Sequence, residues 1–454
     1  MIKPAPAKRH QWPDLSNSPE LSDHQRERVA LALSGRIGCL AGGPGTGKSW
    51  TTAAIVKAII EAFGRGLTAV AAPTGKAAVR CTSLFVQHQI SMEATTIHRL
   101  LGVSRNGHDQ QGWGFIHNRD NPLPYKYYLL DESSMIDTDT FASFMDALPS
   151  DAHLLLIGDL GQLPPVGHGA PLRDIIAAGV PVGELTEIRR NSGDIVRVCA
   201  EVRAGGSFNP SLTPGITNGH NLLHVEAETV NVILGQLKRK LITAPAGIDP
   251  VWDIQVVVAV NEKSDLSRKS LNTGMQKLLN PNGQEIGKSG FRMKDKVICT
   301  SNSILPLVED GHKVHAVDPD FAGDSDEPKY VGEFVANGEI GRVVAWDEEE
   351  KEFHVSFDIP NRIVAVPMFP NDFDLAYAVT CHRLQGSSAR IVIVMIDPYK
   401  GADFVVSREW WYTAWSRAEE LCITIGRRRI VDRQCQEVKI TQRKTFLREE
   451  ILCP

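Results

Sequence analysis

The spacing of apolar positions changes repeatedly along this chain, and each change marks an element. Between residues 21 and 33 apolar side chains recur at helical spacing, with Ser22 placed to cap the start and Gly35 to stop the end. Short apolar runs of β-favouring residues follow at 37–41, 68–72, 127–130 and 153–157, and a helical stretch fills 50–63. Strands and helices in alternation predict an open parallel α/β sheet.

Past Pro181 the pattern restarts. Apolar runs at 254–260, 375–380, 390–396 and 421–425, with helices to about residue 279 and over 409–417, predict a second α/β sheet. Residues 290–370 break it with β-like runs at 341–346, 353–357 and 362–366, which read as a small inserted barrel. The expected organisation is therefore a poorly ordered lead-in over 1–20, a first domain over 21–180, a second domain over 181–289 and 371–454, and the insertion over 290–370. Two irregular stretches stand out. Residues 101–124 lose the helical pattern and surround Trp113 and Phe115 with glycines, as a protruding hairpin would, and 309–327 carries seven acids against one lysine, as a mobile loop would.

The polar residues that follow each strand give the first sheet its chemistry. After the first run comes Gly42-Gly43-Pro44-Gly45-Thr46-Gly47-Lys48-Ser49, which fits the phosphate-loop pattern GxxxxGKS at every position. Glycines there let backbone N–H groups turn inward around an anion at a helix start, Lys48 reaches the β- and γ-phosphates and Ser49 a magnesium ion. Pro73-Thr74-Gly75-Lys76 follows the second run, Asp131-Glu132 the third, and Gly158-Asp159 leading to Gln162 the fourth. Ligands bind outside the carboxyl ends of parallel strands, so these stretches converge on one crevice. Asp131 suits a metal and Glu132 the orientation or deprotonation of an attacking water, whereas the plain alternative is an acidic pair capping a helix. Gln162 is a candidate γ-phosphate sensor or an ordinary loop amide. Gln25 is a nucleotide contact or an exposed helix glutamine. The aromatics of 101–124 either pack on their own domain or stack on bases.

Composition narrows the classes. A formal net charge of −5 gives no global attraction to nucleic acid, so such a site must be a local basic track. The eight cysteines form no CxxC pair, which argues against zinc and disulfide frameworks. With no signal-like run and no stretch near 18 consecutive apolar residues, a cytoplasmic protein away from membranes is expected.

The ordered series of phosphate loop, Ala72-Pro73-Thr74-Gly75-Lys76-Ala77-Ala78, Thr96-Ile97-His98, Asp131-Glu132, Gly158 to Pro165, Arg190, Thr380-Cys381-His382-Arg383-Leu384-Gln385-Gly386 and Tyr412-Thr413-Ala414-Trp415-Ser416-Arg417-Ala418 resembles superfamily 1 DNA helicases, and among them the RecD-like group with its phage Dda helicases. The resemblance runs from about residue 21 to 425. It implies two RecA-like P-loop NTPase domains with ATP and Mg2+ between them, a β-hairpin pin in the first and an SH3-like β-barrel insertion in the second, and 5′-to-3′ movement on single-stranded DNA. By position it implies an adenine contact for Gln25, further nucleotide contacts for Gln385 and Gly386, a γ-phosphate contact for Gln162, and charge-stabilising roles for Arg190 and Arg417. It gives Pro73, Thr74, Lys76, Thr96, His98, Thr380 and His382 to the DNA track, with Trp113 and Phe115 on the pin. Asn191 after Arg190, where the family commonly has Gln, leaves Arg189 and Arg190 both open, and Arg383-Leu384 replaces the commoner Lys-Ser. From composition alone Arg417 is equally a surface salt-bridge residue.

Three function classes follow: an ATP-driven helicase, a DNA-gated ATPase that remodels protein–DNA complexes without processive unwinding, and a metabolic P-loop kinase. The first implies junction DNA as partner, with single-strand binding or replication and recombination proteins as further partners, and a monomer.

Overall fold

In the computed structural model the described residues are 11–104, 114–187, 193–213, 218–315, 331–358 and 360–443. The chain divides into a first unit, residues 1–190 with 440–454, and a second unit, residues 191–439.

The first unit is built on a six-stranded sheet in the order Thr95–Thr96, Thr68–Ala72, Tyr127–Leu130, His153–Gly158, Ile37–Gly42, Val182–Leu185. Every pairing in it is parallel. Its central strands are buried along their whole length because both faces are covered. Alternate residues serve different cores: Leu40, Val70, Leu129 and Leu155 join Ile55 and Ile59 of helix Lys48–Phe63, while Ala41, Ala71, Leu130 and Leu156 join Ile97 and Phe144. Helix Asp23–Ala32 lies almost on the sheet backbone. A Cβ on Gly38 would come within 1.8 Å of the Ala32 carbonyl and one on Gly183 within 1.8 Å of the Arg28 carbonyl, so only glycine permits that approach.

The second unit holds a five-stranded parallel sheet in the order Ala378–Thr380, Ile254–Val258, Ala389–Met395, Ala418–Gly426, Leu222–Glu226. Helices Val230–Ile242 and Arg268–Leu279 share one core with it. A second five-stranded sheet, antiparallel, runs Asn361–Pro367, Glu352–Asp358, Ile340–Asp347, Lys296–Cys299, Phe373–Leu375 around its own core of Val297, Val343, Phe353, Val355 and Val364. Buried Asp295 ties it to the parallel sheet's layer, accepting from Gln276 Nε2 at 2.6 Å, Asn280 Nδ2 at 2.7 Å and the Tyr377 hydroxyl at 2.8 Å.

Several expectations need correction. Residues 11–20 are packed rather than loose: Leu15 is buried and Trp12 Nε1 donates to the Gly35 carbonyl at 2.8 Å. Val182–Leu185, read as the start of the second region, is the edge strand of the first sheet, paired with Ile37–Gly42. Among the described residues the insertion's five-stranded order runs from Asn361–Pro367 to Phe373–Leu375, with Leu307 bridging Val364 on the first of these. Within the acidic stretch, Val308–Glu309 pairs with His312–Lys313, and the remainder lies outside the described residues. The 101–124 hairpin is present at its base, where Val103–Ser104 pairs with Gly114–Phe115.

Candidate nucleotide site and nucleic-acid track

The phosphate loop joins strand Ile37–Gly42 to helix Lys48–Phe63. Gly45 and Gly47 sit at φ 74° and 83°, left-handed values that glycine adopts without strain. Thr46 Oγ1 donates to the Gly43 carbonyl at 2.8 Å and closes the turn around Pro44. Lys48 Nζ donates to the carbonyls of Gly42 and Gly43, the latter at 3.0 Å, and Ser49 lies in the helix's first turn. Gln25 is buried, not exposed. Its Oε1 accepts from the Ser22 N–H at 3.1 Å in a capping box, and its Nε2 donates to Thr51 Oγ1 at 2.9 Å, so one side chain fastens the first helix to the phosphate-loop helix.

Asp131 and Glu132 leave the end of strand Tyr127–Leu130, and the Asp131 N–H donates to the Ala71 carbonyl at 2.9 Å across the sheet. Burial, then the neighbouring Glu132 charge, push the Asp131 carboxyl up to about 6, against the pull of the Glu132 N–H, Arg80 and Lys48. Those cations place Asp131 in the phosphate-loop crevice. Glu132 has φ 48° and ψ 38°, a left-handed conformation costly for a residue with a Cβ, and its side chain makes no capping bond to the short helix Ser133–Met135. The Glu132 side chain therefore does not cap that helix, while the Asp131 carboxylate accepts from the Glu132 N–H at 2.9 Å. After strand His153–Gly158, buried Asp159 braces Gln162: its carboxylate accepts from the Gly161 N–H at 2.9 Å and from Gln162 Nε2 at 3.3 Å. Gln162 Oε1 is buried without a partner, an unsatisfied acceptor beside the site.

Along the proposed track, Thr74 caps helix Gly75–Gln87 by accepting from the Ala77 N–H at 3.3 Å, with Pro73 before it and Lys76 in its first turn. Thr96 caps helix Ile97–Leu101 through the Arg99 N–H at 3.1 Å. The His98 ring lies 5.9 Å from that of Phe115, which is half-buried against the first unit's core. Trp113 and Arg190 lie outside the described residues.

In the second unit, Thr380 ends strand Ala378–Thr380 and its carbonyl accepts from the Leu384 N–H at 3.1 Å, starting a turn through His382, Gln385 and Gly386, the last at φ 77°. Arg417 is buried and is no surface ion pair. Its Nε donates to the Thr413 carbonyl at 3.3 Å and a terminal nitrogen to the Ser387 carbonyl at 3.4 Å. The last two sequence motifs thus meet at one latch. Sequence reading passed over three functional neighbours: Arg80, one helical turn beyond Lys76, whose charge acts on Asp131; Asp159, which holds Gln162; and Thr51, partner of Gln25. Only Arg80 had a usable signal, the i, i+4 spacing of two cations on one helix face.

A phosphate loop on one parallel sheet, with a carboxylate pair and a buried amide at adjacent strand ends, defines a P-loop NTPase unit of the RecA-like kind, joined in one chain to a second parallel sheet of the same kind. An AAA domain model matches residues 20–209, and a UvrD-like helicase C-terminal domain model matches 375–425. The ATP-dependent RecD2 DNA helicase of Deinococcus radiodurans is 29% identical over 416 residues, 89% of this chain and 49% of that protein. The RecBCD subunit RecD of Mycolicibacterium smegmatis is 25% identical over 442 residues, covering 89% and 71%, and that of Mycobacterium tuberculosis 35% over 181 residues, covering 36% and 30%. The chain spans about half the length of the Deinococcus protein. A solved Bacteroides Pif1 bound to ssDNA aligns over 93% of this chain and 95% of its own at 16% identity and a TM-score of 0.47. The chain thus matches an AAA domain followed by a UvrD-like helicase C-terminal domain, and over most of its length it is similar to RecD2 and RecD proteins. Among the described residues no helix is long and apolar enough to cross a membrane.

Proposed function

We propose that this chain is an ATP-dependent DNA helicase that moves 5′-to-3′ on single-stranded DNA and separates duplexes. The observation that carries the proposal is the convergence of Lys48, Asp131, a backbone-strained Glu132 and an unsatisfied Gln162 at the carboxyl ends of one parallel sheet. Glu132 takes the proton of the attacking water, Gln162 Oε1 orients that water or reads the γ-phosphate, and Lys48 exchanges its loop carbonyls for phosphate oxygens. Ser49 and Asp131 fit a magnesium ion: a hydroxyl in the helix's first turn and a buried carboxylate that a cation would return to its ionised form. Bound there, the ion would neutralise charge on the β- and γ-phosphates. Pro73, Thr74, Lys76, Thr96, His98, Thr380 and His382 form the DNA track, and the resemblance supplies charge-stabilising roles for Arg190 and Arg417.

Relatives that include a DNA helicase and RecBCD subunits support the reading. One observation favours the second reading, a DNA-gated ATPase without unwinding: Phe115 is committed to its own core, which leaves any wedge to the rest of the hairpin. ATP turnover measured with and without a single-stranded oligonucleotide tests the shared basis of both. Strong stimulation by DNA is expected, and turnover indifferent to DNA would favour a small-molecule kinase.

A further inference from the structure

The two helices that cover one face of the second parallel sheet, Val230–Ile242 and Arg268–Leu279, leave a groove between them of about 340 Å3. Leu234, Leu237, Leu241, Leu271, Met275 and Leu278 line it, and Lys238 and Lys277 stand exposed at its rim. Gly274, in the middle of its helix, borders the same space. A Cβ there would meet nothing within 4 Å, so no packing constraint demands glycine, although glycine weakens a helix interior. Its effect is to keep the groove open.

Charge identifies the occupant. Together the two helices carry Lys238, Arg239, Lys240, Arg268, Lys269 and Lys277 and no acid, within a chain whose net charge is −5. Arg268 pairs with Asp374 and Lys269 with Glu262, but Lys238, Arg239, Lys240 and Lys277 have no acidic partner among the described residues. A single-stranded nucleic acid would be met by cations and aromatic platforms; this groove has leucines and a methionine and no ring among its lining residues. Apolar floor with basic rim fits instead a short amphipathic segment whose apolar side chains enter the groove and whose carboxylates meet the lysines.

We propose that this groove is a docking site for an acidic, amphipathic peptide segment of a partner protein, separate from the nucleotide and DNA residues. The test uses the full chain and two fluorescein-labelled dodecapeptides, one with Leu and Phe at i, i+3, i+4 and i+7 and Asp or Glu elsewhere, the other with the acids replaced by Lys. The acidic peptide should bind, more weakly as salt rises, and the lysine peptide should not. Lys238→Glu with Lys277→Glu should weaken binding at least about tenfold, and Gly274→Leu should abolish it by filling the groove while leaving melting temperature equal or higher, which separates a blocked site from a misfolded one. Absence of binding at about 1 mM acidic peptide, equal binding of both peptides, or affinity unchanged in both variants would overturn the proposal. So would a loss of single-stranded DNA affinity in the charge-reversed variant matching its loss of peptide, which would give the face to nucleic acid.

Discussion

The two parallel sheets of this chain have similar architecture and different motifs after their strands. In the first, strands end in groups left strained or unsatisfied: the left-handed Glu132, the partnerless Gln162 Oε1 and an Asp131 whose ionisation burial opposes. In the second, several buried polar residues are spent on the fold, although Asp397, two residues past strand Ala389–Met395, has one carboxylate oxygen without a partner and is raised by burial, and Thr424 Oγ1 is also unpartnered. Gln255 Nε2 lies within bonding distance of three backbone carbonyls, Asn272 Nδ2 donates to the carbonyls of Leu375 and Ala378, and Arg417 closes a turn. The strand Ile254–Val258 leads into Ala259-Val260-Asn261-Glu262 rather than a glycine-rich loop. A doubly wound sheet is therefore a scaffold, and what makes it a nucleotide site is the few residues after its strands.

Substitutions can break that contrast, and the largest effect belongs to Lys48→Ala. It should lower ATP turnover by about 10³ or more with the fold intact, because the ammonium acts on bound phosphates; circular dichroism with a turnover assay checks this, and near-normal turnover would remove Lys48 from the site. Glu132→Gln should lower turnover by roughly 10²–10⁴ while nucleotide affinity is retained, since the amide keeps the shape but accepts no proton. Loss of nucleotide binding in that variant would make the carboxylate structural. Arg417→Ala probes the other sheet: it leaves the Ser387 carbonyl without its donor, and the Thr413 carbonyl with Ser416 Oγ alone, and should cost about 1–3 kcal/mol of stability in denaturant titration, in addition to any fall in turnover. A fall in turnover with stability unchanged would assign Arg417 to charge stabilisation alone.

The smallest effect has a pH signature. Burial raises the Asp131 carboxyl of the folded protein to about 6 from its ordinary 3.8, so the fold binds its proton more tightly than the unfolded chain does. Stability is therefore lost as pH rises from about 4 through about 6, and above that range the ionised carboxylate destabilises the nucleotide-free protein. Asp131→Asn should raise stability at pH 7–8 by roughly 1–3 kcal/mol, with the gain vanishing near pH 4. A variant equally or less stable at pH 8 would show that Asp131 is not held against its ionisation.

Much of the first sheet was legible because four of its strands are short, mainly apolar runs each followed at once by a polar motif. Thr68–Ala72 and Tyr127–Leu130 occur at the residues read from the pattern. Leu222–Glu226 escaped because an edge strand half-buried along its length, with His224 and Glu226 in it, carries no apolar run. The packing of Trp12 and Leu15 escaped for another reason: proline and serine around them look disordered locally, while their partners Gly35, Tyr127 and His153 are distant in sequence. Site chemistry was legible where a residue type is demanded by phosphate, as at Lys48. It was not legible where a residue acts through a neighbour, as with Asp159 behind Gln162 or Gln25 bridging to Thr51.

If chemistry at the first sheet drives strand separation, a strand-displacement assay reads it out. Duplexes carrying a 5′ or a 3′ single-stranded tail, offered to the wild-type chain with ATP and magnesium and to Glu132→Gln in parallel, give the decisive comparison. The wild type should displace the 5′-tailed duplex and little of the 3′-tailed one, and the variant should displace neither. DNA-stimulated ATP turnover without displacement of either duplex would contradict that coupling.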